Sequence, residues 1–224
     1  MAYSVAIDGP AGAGKSTIAK LISREMGYIY VDTGAMYRAM AVYFSKNKVN
    51  PEDESAINEA VKNVDIKIEY QNGEQQVILN GENVTGLLRT EETGNMASKT
   101  SKYKEVRSKL VELQRELAKT TDVVMDGRDI GTTVHPDAFV KIYLTASSDA
   151  RAKRRYDELV AKGEQCDLSA IKEDIEKRDY QDMHREISPL KQAEDAVLLD
   201  TSDMNIEQVV AAMRDIIDNA VKNK

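Results

Sequence analysis

Apolar positions change their period several times along this chain, and each change marks an element. Tyr3 to Ile7 form a short β-type run that meets a glycine-rich stretch, after which Ile18, Leu21, Ile22 and Met26 recur at helical spacing until Gly27 stops the helix. Tyr28 to Val31 reads as a second strand and Ala35 to Phe44 as a second helix, with Asp32-Thr33-Gly34 at the turn between them. Between about Asp65 and Thr85 the period drops to two: Ile66, Ile68 and Tyr70 alternate, Gln71-Asn72-Gly73 supplies a turn, and Val77 and Leu79 alternate again before Asn80-Gly81. That is an antiparallel hairpin inside an α/β pattern. Val106, Leu110, Leu113 and Leu117 then mark a long amphipathic helix, and Val123 to Met125 and Phe139 to Leu144 are compact apolar strands suited to a buried parallel sheet. Two charged helices (Asp149 to Lys162, and Leu168 to about Asp182), a strand (Ala196 to Leu199) and a terminal helix (Ile206 to Val221) follow. Strands separated by helices predict a parallel sheet covered on both faces, with ligands at the carboxyl ends of its strands.

Composition narrows this picture. The 224 residues suit one domain with an insert, 42% are apolar, 31% are charged, and no run approaches the ~18 consecutive apolar residues of a membrane span. The N-terminus MAYSVAIDG lacks a signal-peptide pattern, so a cytoplasmic protein with no membrane role is expected. A net charge of −7 argues against a nucleic-acid partner but leaves small anionic ligands open. Cys166 stands alone, and His135 and His184 are scattered, so neither a disulfide nor a zinc cage is expected; all three read as surface or packing residues.

The first candidate chemistry lies between the first strand and the first helix. Gly9-Pro10-Ala11-Gly12-Ala13-Gly14-Lys15-Ser16 matches G-x-x-x-x-G-K-[ST] in the context the motif requires. Its glycines let successive N–H groups turn toward phosphate oxygens, Lys15 reaches the outer phosphates, and Ser16 can ligate Mg²⁺. The motif alone does not separate a kinase from a GTPase, a motor or a switch.

A second constellation supplies an acceptor. Asp32-Thr33-Gly34-Ala35-Met36-Tyr37-Arg38 opens at the end of the second strand and is expected to put Tyr37 and Arg38 on the first turn of a helix. Asp126-Gly127-Arg128-Asp129 ends the strand Val123 to Met125, where Asp126 can orient Mg²⁺ and its waters and Arg128 would face phosphates. Arg151, Arg154 and Arg155 fall at i, i+3 and i+4; Arg178, Asp182 and Arg185 fall at i, i+4 and i+7, on one face if the helix continues that far. Isolated stripes of this kind are solvated faces. Beside a phosphate loop they suit a segment that closes over a phosphoryl group whose transition-state charge needs guanidinium partners. A phosphate monoester as nucleophile needs no general base, which fits a site rich in arginine and poor in histidine.

Together these residues resemble the bacterial cytidylate kinase family across almost the whole chain, from Ile7-Asp8-Gly9-Pro10 to Ala196-Val197-Leu198-Leu199-Asp200. The stretches Asp32 to Arg38, Asp126-Gly127-Arg128-Asp129-Ile130-Gly131-Thr132, and Arg178-Asp179 through Asp182 and Arg185 to Ser188-Pro189-Leu190 carry the likeness. The resemblance implies an α/β P-loop kinase: a doubly wound, parallel five-stranded sheet, a helical lid, and a small antiparallel sheet inserted in the monophosphate-binding region. The corresponding boundaries are a core of 1–34, 120–150 and 190–224, a monophosphate-binding region of about 35–119 and a lid of about 151–189.

It also implies Mg²⁺-dependent transfer of the ATP γ-phosphate to CMP or dCMP by a monomer. Gly9 to Thr17, with Arg154 and Arg155, would bind ATP; Lys15, Arg128 and Arg178 would be catalytic; Ser16 and Asp126 would serve the metal. Thr33, Tyr37, Arg38, Arg128 and Asp129 would bind the phosphate and sugar region of CMP, Ser98 and Arg107 would read the cytosine edge, and Asp182 and Arg185 would reach the ribose or base. Read from the residues, two alternatives stay open. One is a P-loop kinase for another nucleotide or a hydroxyl metabolite, with Asp32 or Asp129 as base; the other is a nucleotide-dependent switch without transferase activity.

Overall fold

The computed structural model describes residues 3–222; the N-terminal reading above rests partly on residues 1 and 2, which lie outside them. The backbone runs β1 (Ser4–Asp8), α1 (Lys15–Met26), β2 (Ile29–Asp32), α2 (Thr33–Lys46), α3 (Glu54–Lys62), β3 (Ile66–Gln71), β4 (Glu74–Leu79) and β5 (Glu82–Asn83). It continues through α4 (Glu91–Thr100), α5 (Lys104–Thr120), β6 (Val123–Gly127), β7 (Val140–Thr145), α6 (Ser148–Ala161), α7 (Leu168–His184), β8 (Val197–Asp200) and α8 (Ile206–Lys222). Contacts gather these into two compact units, one from residues up to Ile29 together with those from Asp122 onward, the other Tyr30–Thr121.

The first unit follows from strands that are apolar at most positions. β1 and β6 are buried throughout, which requires cover on both faces. The sheet order is β2-β6-β1-β7-β8, five parallel strands, with Ile7 opposite Asp126 on one side and Ile142 on the other. α1 packs on β6 and on α8, so Ile18, Ile22, Met213 and Ile217 bury their side chains, each contributing about 1.5–3 kcal/mol. α6 and α7 pack on each other; Ser147 and Asp167 cap them by accepting from Ala150 N (3.2 Å) and Ala170 N (2.8 Å). Cys166, half-buried, lies in the loop that joins these two helices.

In the second unit α2 buries Met36, Ala39, Met40 and Phe44 and packs on α4, α5 and β4. The hairpin expected from alternation pairs Ile66 with Leu79 and Ile68 with Val77, and β5 extends it to three strands in the order β3-β4-β5. Both its turns are Asn-Gly pairs with positive φ, Asn72-Gly73 (54° and 77°) and Asn80-Gly81 (49° and 84°), the combination that matches strand twist.

Four features differ from the sequence reading. α2 begins at Thr33, because Asp32 caps it by accepting from Ala35 N at 2.9 Å, so Tyr37 and Arg38 sit on its second turn. α3 and α4 were not expected: each is short, with few apolar positions to set a period, and each is announced by its cap, Asp53 and Thr90. The stretch after β6 forms a single π-helical turn, Ile130–Val134, closed by His135 N donating to Ile130 O at 2.7 Å. Finally, α7 ends at His184, and Arg185 has extended backbone outside the helix. Ser188 precedes Pro189, which disfavours helical backbone there; it takes φ of 50° and folds the chain back, so that Leu190 N reaches Asp182 O at 2.8 Å.

Candidate functional site

The glycine-rich loop leaves the carboxyl end of β1 and enters α1 at Lys15. Its first residue must be glycine: a Cβ on Gly9 would lie 1.9 Å from the Leu144 carbonyl oxygen of β7. Lys15 is buried, and its Nζ donates to the Pro10 carbonyl at 2.7 Å, inside the curl of the loop. Burial, and then the charge of Arg128, pull the lysine pKa down to about 7, while Asp126 and Asp8 oppose that shift. In the first turn of the helix, Ser16 Oγ donates to Asp126 Oδ2 of β6 at 2.8 Å.

Asp8 ends a buried strand for a reason the sequence reading missed. Its two carboxylate oxygens accept from Ile130 N and Gly131 N, each at 2.8 Å, and so hold the start of the π-helical turn that follows Arg128 and Asp129. Burial pushes its pKa up to about 6, helped by the charge of Asp129, against the two N–H donors and Lys15.

Beside that turn, four expected residues form an alternating chain of charges. Arg128 Nε donates to Asp182 Oδ2 at 2.8 Å, Asp182 Oδ1 lies 3.6 Å from Arg185 Nη1, and Arg185 Nη2 donates to Asp129 Oδ1 at 3.4 Å. Arg185 Nε also donates to the Ser188 carbonyl at 2.6 Å, so the backward fold after α7 aims this side chain although it is off the helix. The other arginines have different surroundings. Arg178 pairs with Asp174 at 3.0 Å, Arg154 donates to the Thr201 hydroxyl at 3.2 Å and to the Thr201 carbonyl, and exposed Arg155 pairs with Glu158 at 2.9 Å.

In the second unit Thr33 is buried at the start of α2, and the Arg38 guanidinium folds back over Gly34, where a Cβ would lie 3.0 Å from Arg38 Nη1. Arg107 is 3% exposed on α5 and stacks over the Tyr37 ring with its guanidinium carbon 5.6 Å from the centroid; Nη1 donates to Ser101 O at 3.3 Å. Sequence pattern alone makes Arg107 a helix-surface residue. Ser98 is half-buried in the last turn of α4. Asp32 has both carboxylate oxygens engaged, by Ala35 N and by Arg89 Nη2 at 2.6 Å, and Gln75 makes two hydrogen bonds to its backbone, at 2.8 and 3.2 Å. Neither Arg89 nor Gln75 was singled out by sequence, since both act through a partner distant along the chain.

A glycine-rich loop between a buried parallel strand and a helix, a lysine inside it, and a hydroxyl–carboxylate pair beneath it define a P-loop kinase. A solved shikimate kinase from Bacteroides thetaiotaomicron shares this fold, with a TM-score of 0.52 at 12% identity over 96% of this chain and 98% of that chain. The family model for cytidylate kinase matches residues 5–219. The cytidylate kinase of Lactobacillus gasseri is 53% identical over 219 residues, 98% of this chain and 95% of its own length, and that of Caldicellulosiruptor bescii is 48% identical over 221 residues, 99% of this chain and 98% of its own. The chain belongs to the cytidylate kinase family. Among the described residues no helix is long and apolar enough to cross a membrane.

Proposed function

We propose that the protein transfers the γ-phosphate of ATP to CMP or dCMP, giving ADP and CDP or dCDP, with Mg²⁺ as cofactor. The observation that carries this reading is identity of about one half to cytidylate kinases along nearly the entire chain. The residues support it chemically. Among the described residues no cluster of three or more acidic, histidine or cysteine side chains could cage a metal, but Mg²⁺ commonly uses one or two protein oxygens together with substrate phosphates and waters. Ser16 and Asp126, 2.8 Å apart, are oxygen donors of that kind and would hold it. Held there, the ion would supply Lewis-acid stabilisation of the charge on the phosphates.

In this mechanism the stretch from Gly9 to Thr17 cradles the triphosphate through its backbone N–H groups, Pro10 having none and that of Ala11 being held by Asp179, with Arg154 and Arg155 assigned to ATP as well. Lys15 exchanges the Pro10 carbonyl for the outer phosphates, whose negative charge favours its protonated form. A CMP phosphate oxygen attacks the γ-phosphorus in line, the bond from that phosphorus to the β-phosphate oxygen breaks, and ADP leaves. Arg128 and Arg178 stabilise the equatorial charge. Thr33, Tyr37, Arg38, Arg128 and Asp129 hold the phosphate and sugar region, Ser98 and Arg107 read the base, and Asp182 and Arg185 close on the ribose or base. No general base is needed, in keeping with an Asp32 whose two oxygens are both committed to hydrogen bonds.

A coupled ADP-release assay against CMP, dCMP, UMP, AMP and shikimate tests this. Release stimulated by the cytidine nucleotides well above the others is expected; slow release indifferent to every acceptor would overturn the assignment.

A further inference from the structure

Arg151 begins the basic stripe on α6, but it is turned inward. Its side chain and that of Asp179, on α7, are 7% and 11% exposed, and Arg151 Nη1 donates to Asp179 Oδ2 at 2.6 Å. Both partners also grip the same residue of the phosphate loop. Asp179 Oδ1 accepts from Ala11 N at 2.9 Å, and Arg151 Nη1 donates to Ala11 O at 2.8 Å, while Arg151 Nε is anchored on the Ala146 carbonyl at 2.8 Å. Next to this grip the loop packs on the helices at ordinary contact distance: a Cβ on Gly12 would lie 3.5 Å from Arg151 Cβ and 3.6 Å from Ile175 Cδ1.

A buried ion pair gives little net stability over apolar residues of the same volume, because desolvation offsets most of the attraction. What an apolar pair could not do is bind both the N–H and the C=O of one residue. With both oxygens of Asp179 engaged, and the Arg151 guanidinium bonded to two carbonyls and a carboxylate, the pair is committed to the protein. We propose that Arg151 and Asp179 are positioning residues for the triphosphate: they fix Ala11 from both sides, so the loop's N–H groups are preset for phosphate oxygens before ATP arrives. The effect falls on ATP and spares the acceptor. This rests on the ATP-dependent kinase reading above.

Asp179→Asn tests it, since the amide nitrogen must then face either Ala11 N–H or the Arg151 guanidinium, donor against donor. The expected result is a rise on the order of tenfold, the size of one charge-assisted hydrogen bond, in both the KM for ATP and the Kd of a fluorescent Mg²⁺–ATP analogue, with the KM for CMP within about twofold of wild type. Arg151→Lys, which keeps the charge but cannot span all its partners, is expected to give a smaller rise with the same split, and it decides the matter if Asp179→Asn does not fold. Wild-type analogue binding in folded variants, equal rises in both KM values, or a loss confined to the fraction of active protein would each overturn the proposal. Analogue binding needs no acceptor, so failure of the acceptor assignment would show separately, as a wild-type enzyme that ignores CMP.

Discussion

Ser16 Oγ donates to Asp126 Oδ2 at 2.8 Å, joining the first turn of the helix behind the phosphate loop to the strand beside it. If this pair serves Mg²⁺, Asp126→Asn and Ser16→Ala will raise the Mg²⁺ concentration needed for half-maximal turnover and lower kcat by about 10²-fold or more, the scale of one lost electrostatic contact at the reacting phosphates. Mg²⁺ titrations of the steady-state rate check this; unchanged midpoints in both variants would remove the pair from the metal site.

Lys15→Ala is expected to cost about 3–4 kcal/mol of transition-state stabilisation while circular dichroism and cooperative thermal unfolding stay those of a folded protein. The variant leaves the Pro10 carbonyl, now partnered by Lys15 Nζ at 2.7 Å, to find another donor, a modest effect on stability compared with that on rate. Near-wild-type turnover would refute the role given to Lys15.

Asp8 should leave a signature in the pH dependence of stability. Burial, with Asp129 reinforcing it, raises the folded carboxyl pKa to about 6, above the ordinary value of 3.8, so between those values the folded state binds more protons than the unfolded state. Stability from this group therefore falls as pH rises through that window and is lowest once the carboxylate is ionised, above about pH 6. Denaturant unfolding of wild type and Asp8→Asn should accordingly show wild type gaining on the variant as pH is lowered from about 7 to about 5. A difference that stays constant would show that the carboxyl does not titrate there.

Arg107 and Gly34 predict acceptor-side defects that spare ATP. Arg107→Ala removes the guanidinium stacked over Tyr37, and should raise the KM for CMP about tenfold and narrow the preference for CMP over UMP. Gly34→Ala forces the Arg38 guanidinium to yield, since a Cβ would lie 3.0 Å from Nη1, and should raise the KM for CMP to a smaller extent. Initial rates with each substrate varied in turn are the measurement; an ATP defect as large as the CMP defect in either variant would contradict the assignment.

What was legible in the sequence follows from how local its causes are. A phosphate loop is a run of backbone conformations specified by neighbours, so Gly9 to Ser16 announces itself, as do the two Asn-Gly turns of the inserted sheet. Arg107 is different: only the fold makes it buried, by setting α5 beside the Tyr37 ring of α2. The reading that put Arg185 on the same helical face as Arg178 and Asp182 assumed that α7 continues, whereas it stops at His184 and the side chain is aimed by the Ser188 carbonyl instead. Arg151 shows the same limit, because spacing placed it on a basic stripe while its partners, Ala11 and Asp179, were far off in sequence.

Cys166 brings a practical benefit. It is the only cysteine among 224 residues, and it sits half-buried in the loop between α6 and α7, whose Arg151 and Asp179 hold Ala11. One thiol-reactive fluorophore can therefore be attached to the wild-type chain at a single known address, without first stripping other thiols from it. Its emission would follow, in real time, how this loop responds as nucleotide is added.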